Sequence, residues 1–360
     1  MIKKKKILIA TGGTGGHVFP AYSLASHLVK NNYDVKLATD NRGFNFIKDY
    51  KNIRTIRIFS SPLIKKNLLK FISSMTIIFF SIIRSLIFLL FNRPAVVLGM
   101  GGYSSFPMCI AAAILKIKFV IYENNLIIGK ANKFLLPLAR KIFVSYKETE
   151  NIPKKYNYKI FEIGNILREE IINSKNQNAQ YNNLDHIKVL VLGGSQAAKI
   201  FADKLPKVFV KLKNSKIPIK IYQQCQNDQN QQLSEFYKKV NLEHEIFNFT
   251  PKIIDYYVKS NLVITRAGAS VLGELINIKI PFISIPLPTS ADNHQFKNAI
   301  YYQKKKFGFL LNEHDIDNQL YDLIKSIFNN KNLIKQILEH QRQYSDKNVF
   351  NNIKTHIEKL

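Results

Sequence analysis

A chain of 360 residues has room for two domains, each with its own core. Its 53 Lys and Arg against 25 Asp and Glu give a formal net charge of +28, which raises lipid headgroups and nucleic acid together as anionic partners, although Lys, Asn and Ile recur at nondescript positions and part of the excess is compositional drift. The two cysteines, Cys109 and Cys225, form no CxxC pair, which excludes a disulfide frame or a structural zinc site and suits a reducing compartment.

The run Met1-Ile2-Lys3-Lys4-Lys5-Lys6 has the charge of an export signal, but only Ile7 to Ala10 follow before Thr11-Gly12-Gly13 ends the apolar stretch, so no such signal is expected. Ile7 to Ala10 instead reads as a strand. It runs into Thr11-Gly12-Gly13-Thr14-Gly15-Gly16-His17, with a helix expected after Pro20. Four glycines in five positions cost chain entropy that an ordinary turn does not need, and close approach of backbone to a bound group accounts for them. The spacing departs from G-x-G-x-x-G, which favours a sugar phosphate or a diphosphate over a dinucleotide. His17 at the loop's mouth has the chemistry of a general base near neutral pH, or of a hydrogen bond that holds the loop.

From Phe71 to Phe91 the chain is mostly apolar and long enough to cross a bilayer. On a helical projection Ser73, Ser74, Ser81, Arg84, Ser85 and Asn92 share an arc of roughly 120°, a single polar stripe. Arg84 inside a bilayer would cost about 2.5 to 3.5 kcal/mol. A crossing would also separate the strand at Ile7 from that at Val96. Two readings remain: a core helix, or an interfacial helix resting on lipid beside Lys65, Lys66, Lys70 and Arg93.

Ala95 to Leu98 leads to Gly99-Met100-Gly101-Gly102-Tyr103-Ser104-Ser105, with Pro107 marking a helix start. Phe119 to Tyr122 then delivers Glu123-Asn124-Asn125, polar groups suited to hydroxyl recognition, with a cap as the competing role for Asn125. The character changes around Gly164-Asn165. Ser174 to Asp185, rich in Asn and Gln, reads as a linker and surface loop.

A second series of strand, small-residue turn and helix follows. Lys188 to Leu192 enters Gly193-Gly194-Ser195-Gln196, and Ile219 to Tyr222 is another strand. Leu262 to Thr265 enters Arg266-Ala267-Gly268-Ala269, with a helix opening near Ala269 or Ser270. Free amides and the positive dipole end of that helix form a phosphate cradle, and Glu274, about one turn inside, has the acceptors for two ribose hydroxyls. Pro281 to Pro288 reads as a strand delivering Asp292-Asn293-His294-Gln295 to the same edge, and Ile316 to Leu360 as closing helices. Asp315-Ile316-Asp317 has the spelling of a metal-binding DxD but sits at a helix start, where a cap is the reading.

These motifs, with Arg168 after Gly164-Asn165 and Asn298-Ala299 after Gln295, resemble in order those of glycosyltransferase family 28, over some 290 residues. The resemblance implies an α/β chain of GT-B fold, two Rossmann-like doubly wound parallel-sheet domains facing a central cleft. Residues 1–164 would bind acceptor and membrane, 165–341 would bind UDP-N-acetylglucosamine, and a closing helix in 342–360 would return to the first domain. The implied reaction is inverting transfer of N-acetylglucosamine from UDP-N-acetylglucosamine to the C4 hydroxyl of the N-acetylmuramoyl unit of lipid I, giving lipid II for peptidoglycan.

The same resemblance assigns Ser195, Gln196, Ala269 and Ser270 to the donor diphosphate, Glu274 to the ribose, Thr250 to the uracil, and His294 with Gln295 to the sugar. Thr14, Gly15, Gly16, Asn125 and Arg168 would meet the donor from the first domain. Gly13, Gly101, Gly102 and Tyr103 would hold the acceptor diphosphate, with His17 or Glu123 as base. It implies no cofactor, no metal, a peripheral place on the cytoplasmic face of an anionic membrane, and no nucleic-acid partner. A transferase acting on diacylglycerol is the enzymatic alternative, and a basic nucleic-acid-binding protein the other. Tyr122, Ile166, Ala197 and Gln223-Gln224-Cys225-Gln226 depart from the family's His, Pro, Gly and His-Gln-Thr-Gly.

Overall fold

The computed structural model describes residues 4–50, 52–60, 67–174, 185–194 and 198–360. The chain forms two compact units, Met1–Arg168 with Asp346–Leu360, and Glu169–Ser345.

Unit 1 is built on seven short strands, β1 (Lys6–Ala10), β2 (Asp34–Thr39), β3 (Arg54–Arg57), β4 (Val96–Gly99), β5 (Phe119–Glu123), β6 (Lys141–Val144) and β7 (Ile160–Glu162). They form one parallel sheet in the order β3-β2-β1-β4-β5-β6-β7, with Ile7 beside both Val35 and Val96. The inner strands are apolar on both faces because helices cover both: α1 (Gly15–Lys30), α2 (Asn41–Ile47), α3 (Leu68–Asn92), α4 (Gly102–Ile114) and α5 (Lys130–Leu135). The order reverses between β1 and β4, so the two glycine loops leave neighbouring strands at the switch point, where open α/β sheets place ligands.

Both α1 and α4 begin earlier than their prolines suggest. Pro20 and Pro107 are each the sixth helical residue, so the glycines form the first helical turn. Proline is tolerated there at the loss of one intrahelical bond.

The α3 helix inverts the expected stripe. Ser74, Ser81, Ser85 and Leu89 are its buried residues. The buried hydroxyls are satisfied locally, Ser74 Oγ donating to Lys70 O at 2.8 Å and Ser81 Oγ to Phe59 O at 2.6 Å. Small side chains let α3 lie close on α4, while Leu68, Leu69, Ile72, Phe79, Phe80, Ile87, Leu90 and Phe91 stand in the open. A core helix is therefore ruled out. Strands β3 and β4 on either side of α3 belong to one sheet, which also rules out a single crossing. Lys65 and Lys66 lie outside the described residues, as do 175–184 of the Asn-rich loop.

Unit 2 repeats the plan with six parallel strands, β8 (Ile187–Leu192), β9 (Ile219–Gln224), β10 (Glu243–Phe247), β11 (Leu262–Thr265), β12 (Phe282–Ser284) and β13 (Phe309–Leu310), in the order β10-β9-β8-β11-β12-β13. Its helices are α6 (Glu169–Ile172), α7 (Lys199–Asn214), α8 (Asn230–Lys239), α9 (Ile253–Lys259), α10 (Ala269–Ile278), α11 (His294–Lys304), α12 (Ile316–Asn329) and α13 (Lys331–Arg342). Here the switch point falls between β8 and β11, directly before Gly193-Gly194 and Gly268.

The chain then returns to unit 1. Gly164, at φ +91°, takes a left-handed conformation, and a Cβ there would lie 2.4 Å from Asp346 Oδ1. The Asp346 carboxylate accepts from Asn165 N at 2.9 Å and from Asn165 Nδ2 at 3.1 Å. Behind this clamp α14 (Val349–Glu358) buries Val349, Phe350, Ile353 and Ile357 at helical spacing. Tyr33 Oη donates to Glu358 Oε1 at 2.9 Å, and burial together with that carboxylate pushes the phenol up to about 12.

Candidate functional site

In unit 1 the two glycine loops meet. A Cβ on Gly101 would lie 3.2 Å from His17 Cε1, and one on Gly102 would lie 3.6 Å from Gly12 O and from His17 Cδ2, so the imidazole lies against bare backbone. The Tyr103 ring would stand 3.7 Å from a Cβ on Gly13, which brings Gly13, His17, Gly101, Gly102 and Tyr103 into one cluster. Helix α1 opens on Gly15 and Gly16 with no side-chain cap from Thr14, and α4 opens on Gly102 with no cap from Gly101. Neither has an acid in its first turn. Two uncapped helix starts therefore present amides and dipole ends suited to an anion.

Glu123, placed by β5 at 3 % exposure, is already engaged. Its Oε1 accepts from Asn125 N at 3.1 Å and Asn125 Nδ2 at 2.9 Å, and its Oε2 from Gly129 N at 2.8 Å and Asn132 Nδ2 at 3.0 Å. Four donors fill the carboxylate, so it shapes the loop after β5 and has no lone pair left over for a substrate proton. Asn125 is likewise held, as a partner of Glu123, and Arg168 lies with its guanidinium 5.2 Å from the Phe19 ring centre.

In unit 2, α10 opens at Ala269 with no cap from Gly268 and no acid in the first turn. Gly268 has an ordinary φ of −70°, and a Cβ on it would touch only Val271 Cγ1, at 3.8 Å. Its glycine identity thus answers to open space in front of the turn. Ser270 is the second helical residue and Glu274 the sixth, buried to 8 %. Tyr257 Oη, from α9, donates to Glu274 Oε2 at 2.8 Å. Asn298 Nδ2 donates to Ala267 O at 3.1 Å and ties α11 to the same turn.

On α11, Gln295 Oε1 accepts from Leu287 N at 3.0 Å, which leaves its carboxamide NH2 as the end directed elsewhere. His294 Nδ1 lies 2.7 Å from Ala291 O, so that nitrogen carries the proton and Nε2 is the acceptor. Thr250 Oγ1 accepts from Lys252 N at 3.1 Å at the turn into α9. Ser195 and Gln196 lie outside the described residues, but Gly194 before them sits at φ +80° with nothing within 4 Å of a Cβ.

Residues 7–144 match the glycosyltransferase family 28 N-terminal domain and residues 188–355 the glycosyltransferase family 28 C-terminal domain. A UDP-N-acetylglucosamine--N-acetylmuramyl-(pentapeptide) pyrophosphoryl-undecaprenol N-acetylglucosamine transferase of Pelagibacter ubique is 39% identical over 353 residues, covering 97% of this chain and 96% of its own. Its namesake from Rickettsia felis is 35% identical over 342 residues, covering 92% and 93%. The chain belongs to glycosyltransferase family 28. Its fold is GT-B: the crystal structure of Acinetobacter baumannii MurG superposes with a TM-score of 0.80 at 22% identity, covering 99% of this chain and all of that one.

Three residues of this family 28 chain carry more of the site than its motifs suggest. Arg266, 7 % exposed, donates from Nη1 to Ile285 O at 3.2 Å and Pro286 O at 3.3 Å, and pairs through Nη2 with Glu313. It holds the α10 turn from behind and ends β12 at Ser284, short of the strand expected to reach Pro288. Tyr122 is a buried phenol whose oxygen lies 2.8 Å from Ser145 Oγ and accepts from Ile166 N at 3.2 Å. Burial drives its pKa well above the usual tyrosine value.

The third, Asp40, was missed. It follows β2, is 5 % exposed, and its carboxylate accepts from Gly13 N at 3.1 and 3.2 Å. Gly13, expected among the diphosphate's donors, therefore spends its amide inside the protein. The readable signal was a cap, Asp40 three residues before Gly43, whose amide donates to Oδ1 at 2.7 Å. Asp315 and Asp317 go separate ways: the first accepts from the side chains of Asn312 and Gln319, and the second pairs with Lys204 at 2.6 Å.

Proposed function

We propose that this chain transfers N-acetylglucosamine from UDP-N-acetylglucosamine to the C4 hydroxyl of the N-acetylmuramoyl unit of lipid I, with inversion, giving lipid II. The observation that carries the reading is the start of α10, an uncapped helix with an acid buried at its sixth position, in a chain whose curated relatives bear the name of that transferase. In unit 2 the amides around Ala269 and Ser270 meet the departing diphosphate, so its growing charge falls on a helix dipole. Glu274 accepts the ribose hydroxyls, the backbone at Thr250 the uracil, and the Gln295 amide a sugar hydroxyl.

In unit 1 the resemblance gives the acceptor's diphosphate Gly13, Gly101, Gly102 and Tyr103, and because Asp40 takes the amide of Gly13 we move Gly15 and Gly16 from the donor to that diphosphate, so that the starts of α1 and α4 hold it together. With Glu123 engaged elsewhere, His17 is the base we assign to the acceptor hydroxyl. Residues 1–168 with the returning α14 are thus the acceptor unit, and residues 169–345 the donor unit.

The open face of α3 supports attachment to the cytoplasmic side of a membrane. Full burial of a Leu or Phe is worth about 1.5 to 3 kcal/mol, against about 1 kcal/mol for a lysine near an anionic surface. Insertion of a few of its side chains therefore dominates, and Lys70 and Arg93 at the ends of the helix steer. Incubation with UDP-N-acetylglucosamine and a lipid I analogue should release UDP and yield the disaccharide lipid. Transfer to diacylglycerol with lipid I left untouched would establish the alternative instead.

A further inference from the structure

We infer that Asp40 is a positioning residue for the acceptor, fixing the separation of the two glycine loops; this rests on the assignment of those loops to the acceptor diphosphate. Asp40 gathers groups from four places in the sequence. Beyond the amides of Gly13 and Gly43, its Oδ2 accepts from Ser104 Oγ, in the first turn of α4, at 2.8 Å, and lies 3.4 Å from Ser60 Oγ. Ser60 Oγ in turn donates to Ser104 Oγ at 3.1 Å. One carboxylate thereby joins the loop before α1, the start of α4 and the start of α2.

A helix cap alone does not account for this. Capping α2 takes one bond from one oxygen. Asp40 is buried, which is costly for a charge unless several donors compensate, and its second oxygen is committed to Ser104. The loops also have no slack: a Cβ on Gly12 would lie 2.6 Å from Ser104 Cβ and 2.9 Å from Asp40 Oδ1. With the Gly13 amide turned to Asp40, the starts of α1 and α4 are what we assign to the diphosphate. Their spacing is set by the Gly13–Asp40–Ser104 link. His17 rests on Gly101 and Gly102, just before Ser104, so the same link also carries the surface that supports the imidazole.

The test uses the full chain carrying Asp40→Asn, Ser104→Ala, or both. Asparagine keeps an acceptor for the Gly13 and Gly43 amides but turns an NH2 towards Ser104. Steady-state rates are measured against a lipid I analogue and UDP-N-acetylglucosamine, with the UDP dissociation constant measured on the same preparations. We expect Asp40→Asn to raise the acceptor KM about tenfold, as for loss of a charge-assisted hydrogen bond, with the UDP dissociation constant unchanged. Ser104→Ala should raise that KM several-fold, and the double variant should be no worse than Asp40→Asn alone. A merely structural role would lower the active fraction and kcat while leaving the acceptor KM in place, and that result overturns the inference. So does additivity of the two changes. If Asp40→Asn does not fold, Ser104→Ala decides by the same KM criterion. A wild-type chain inert towards the lipid I analogue overturns the functional reading and this inference with it, whereas an active wild type with unaffected variants overturns the inference alone.

Discussion

The ribose assignment of Glu274 gives the sharpest prediction, because the side chain is buried and its partner is known. Glu274 lies five residues into α10 from Ala269, about 7.5 Å along the axis, a distance that suits a ribose whose diphosphate sits at the helix start. Tyr257 Oη donates to Oε2 at 2.8 Å and so helps to orient the carboxylate that we assign to the ribose hydroxyls. Glu274→Gln keeps the shape, and its remaining carbonyl can still accept from Tyr257, but it places an NH2 where a charged acceptor stood. Loss of charge-assisted bonds to the ribose should weaken UDP by about 1.5 to 3 kcal/mol, or about 10- to 150-fold in dissociation constant. Calorimetric titration with UDP and with 2′-deoxy-UDP separates this from general damage. The wild type should prefer UDP about tenfold or more, and the variant should lose most of that preference. Tyr257→Phe, which removes the bond orienting Oε2, should shift UDP in the same direction while scarcely moving 2′-deoxy-UDP. An unchanged UDP constant in Glu274→Gln, or a preference for UDP that survives it, would refute the assignment.

Three further outcomes are expected. His17→Ala should abolish turnover while preserving the UDP dissociation constant, and turnover within tenfold of wild type would place the base elsewhere. Phe80→Glu with Ile87→Glu, both on the open face of α3, should leave the melting temperature in place but cut sedimentation with anionic vesicles at least tenfold; undiminished sedimentation would remove α3 from the membrane contact. Burial and then Lys141 and Lys359 hold the His356 pKa below its usual 6.5. The unfolded chain therefore takes up a proton near pH 6.5 that the folded chain refuses, and stability should fall as pH drops from that value, with no effect above it. His356→Phe should flatten urea midpoints between pH 6.5 and 5, and an unchanged slope there would acquit His356.

The parts legible in the sequence are those where backbone does the work. A strand, a run of glycines and a helix announce a phosphate-sized opening whatever surrounds them, and the switch points in both sheets put those openings side by side. What could not be read depends on distant residues converging. Glu274 is visible as an acid near a helix start, but Tyr257 is not visible as its partner, because α9 must first be laid beside α10. Asp40 reads as a cap for α2, and only the packing of α4 against the first loop turns its second oxygen to Ser104. On α3 the sequence shows a polar arc of four serines with Arg84 and Asn92, yet an arc does not say which side faces in, and only Ser74, Ser81 and Ser85 of it are buried. The closeness of α4 decides that, since small hydroxyl residues pack where phenylalanines cannot.

The uncapped helix starts tie these observations together. A cap residue at a helix start is ordinarily worth about 1 kcal/mol, and α1, α4 and α10 all forgo it, each beside a switch point and each without an acid in its first turn. Helix α2, in the same unit but away from the switch point, takes its cap from Asp40. A missing cap does not by itself mark a ligand, because α5, α8, α9, α11, α12 and α14 also lack a side-chain cap; what sets α1, α4 and α10 apart is their place at the switch points. The nearest buried carboxylate, Asp40, accepts from the amide of Gly13 just ahead of α1. The Asp40 carboxylate meets the amides of Gly13 and Gly43 and the hydroxyl of Ser104, while the dipole end of α1 favours an anion.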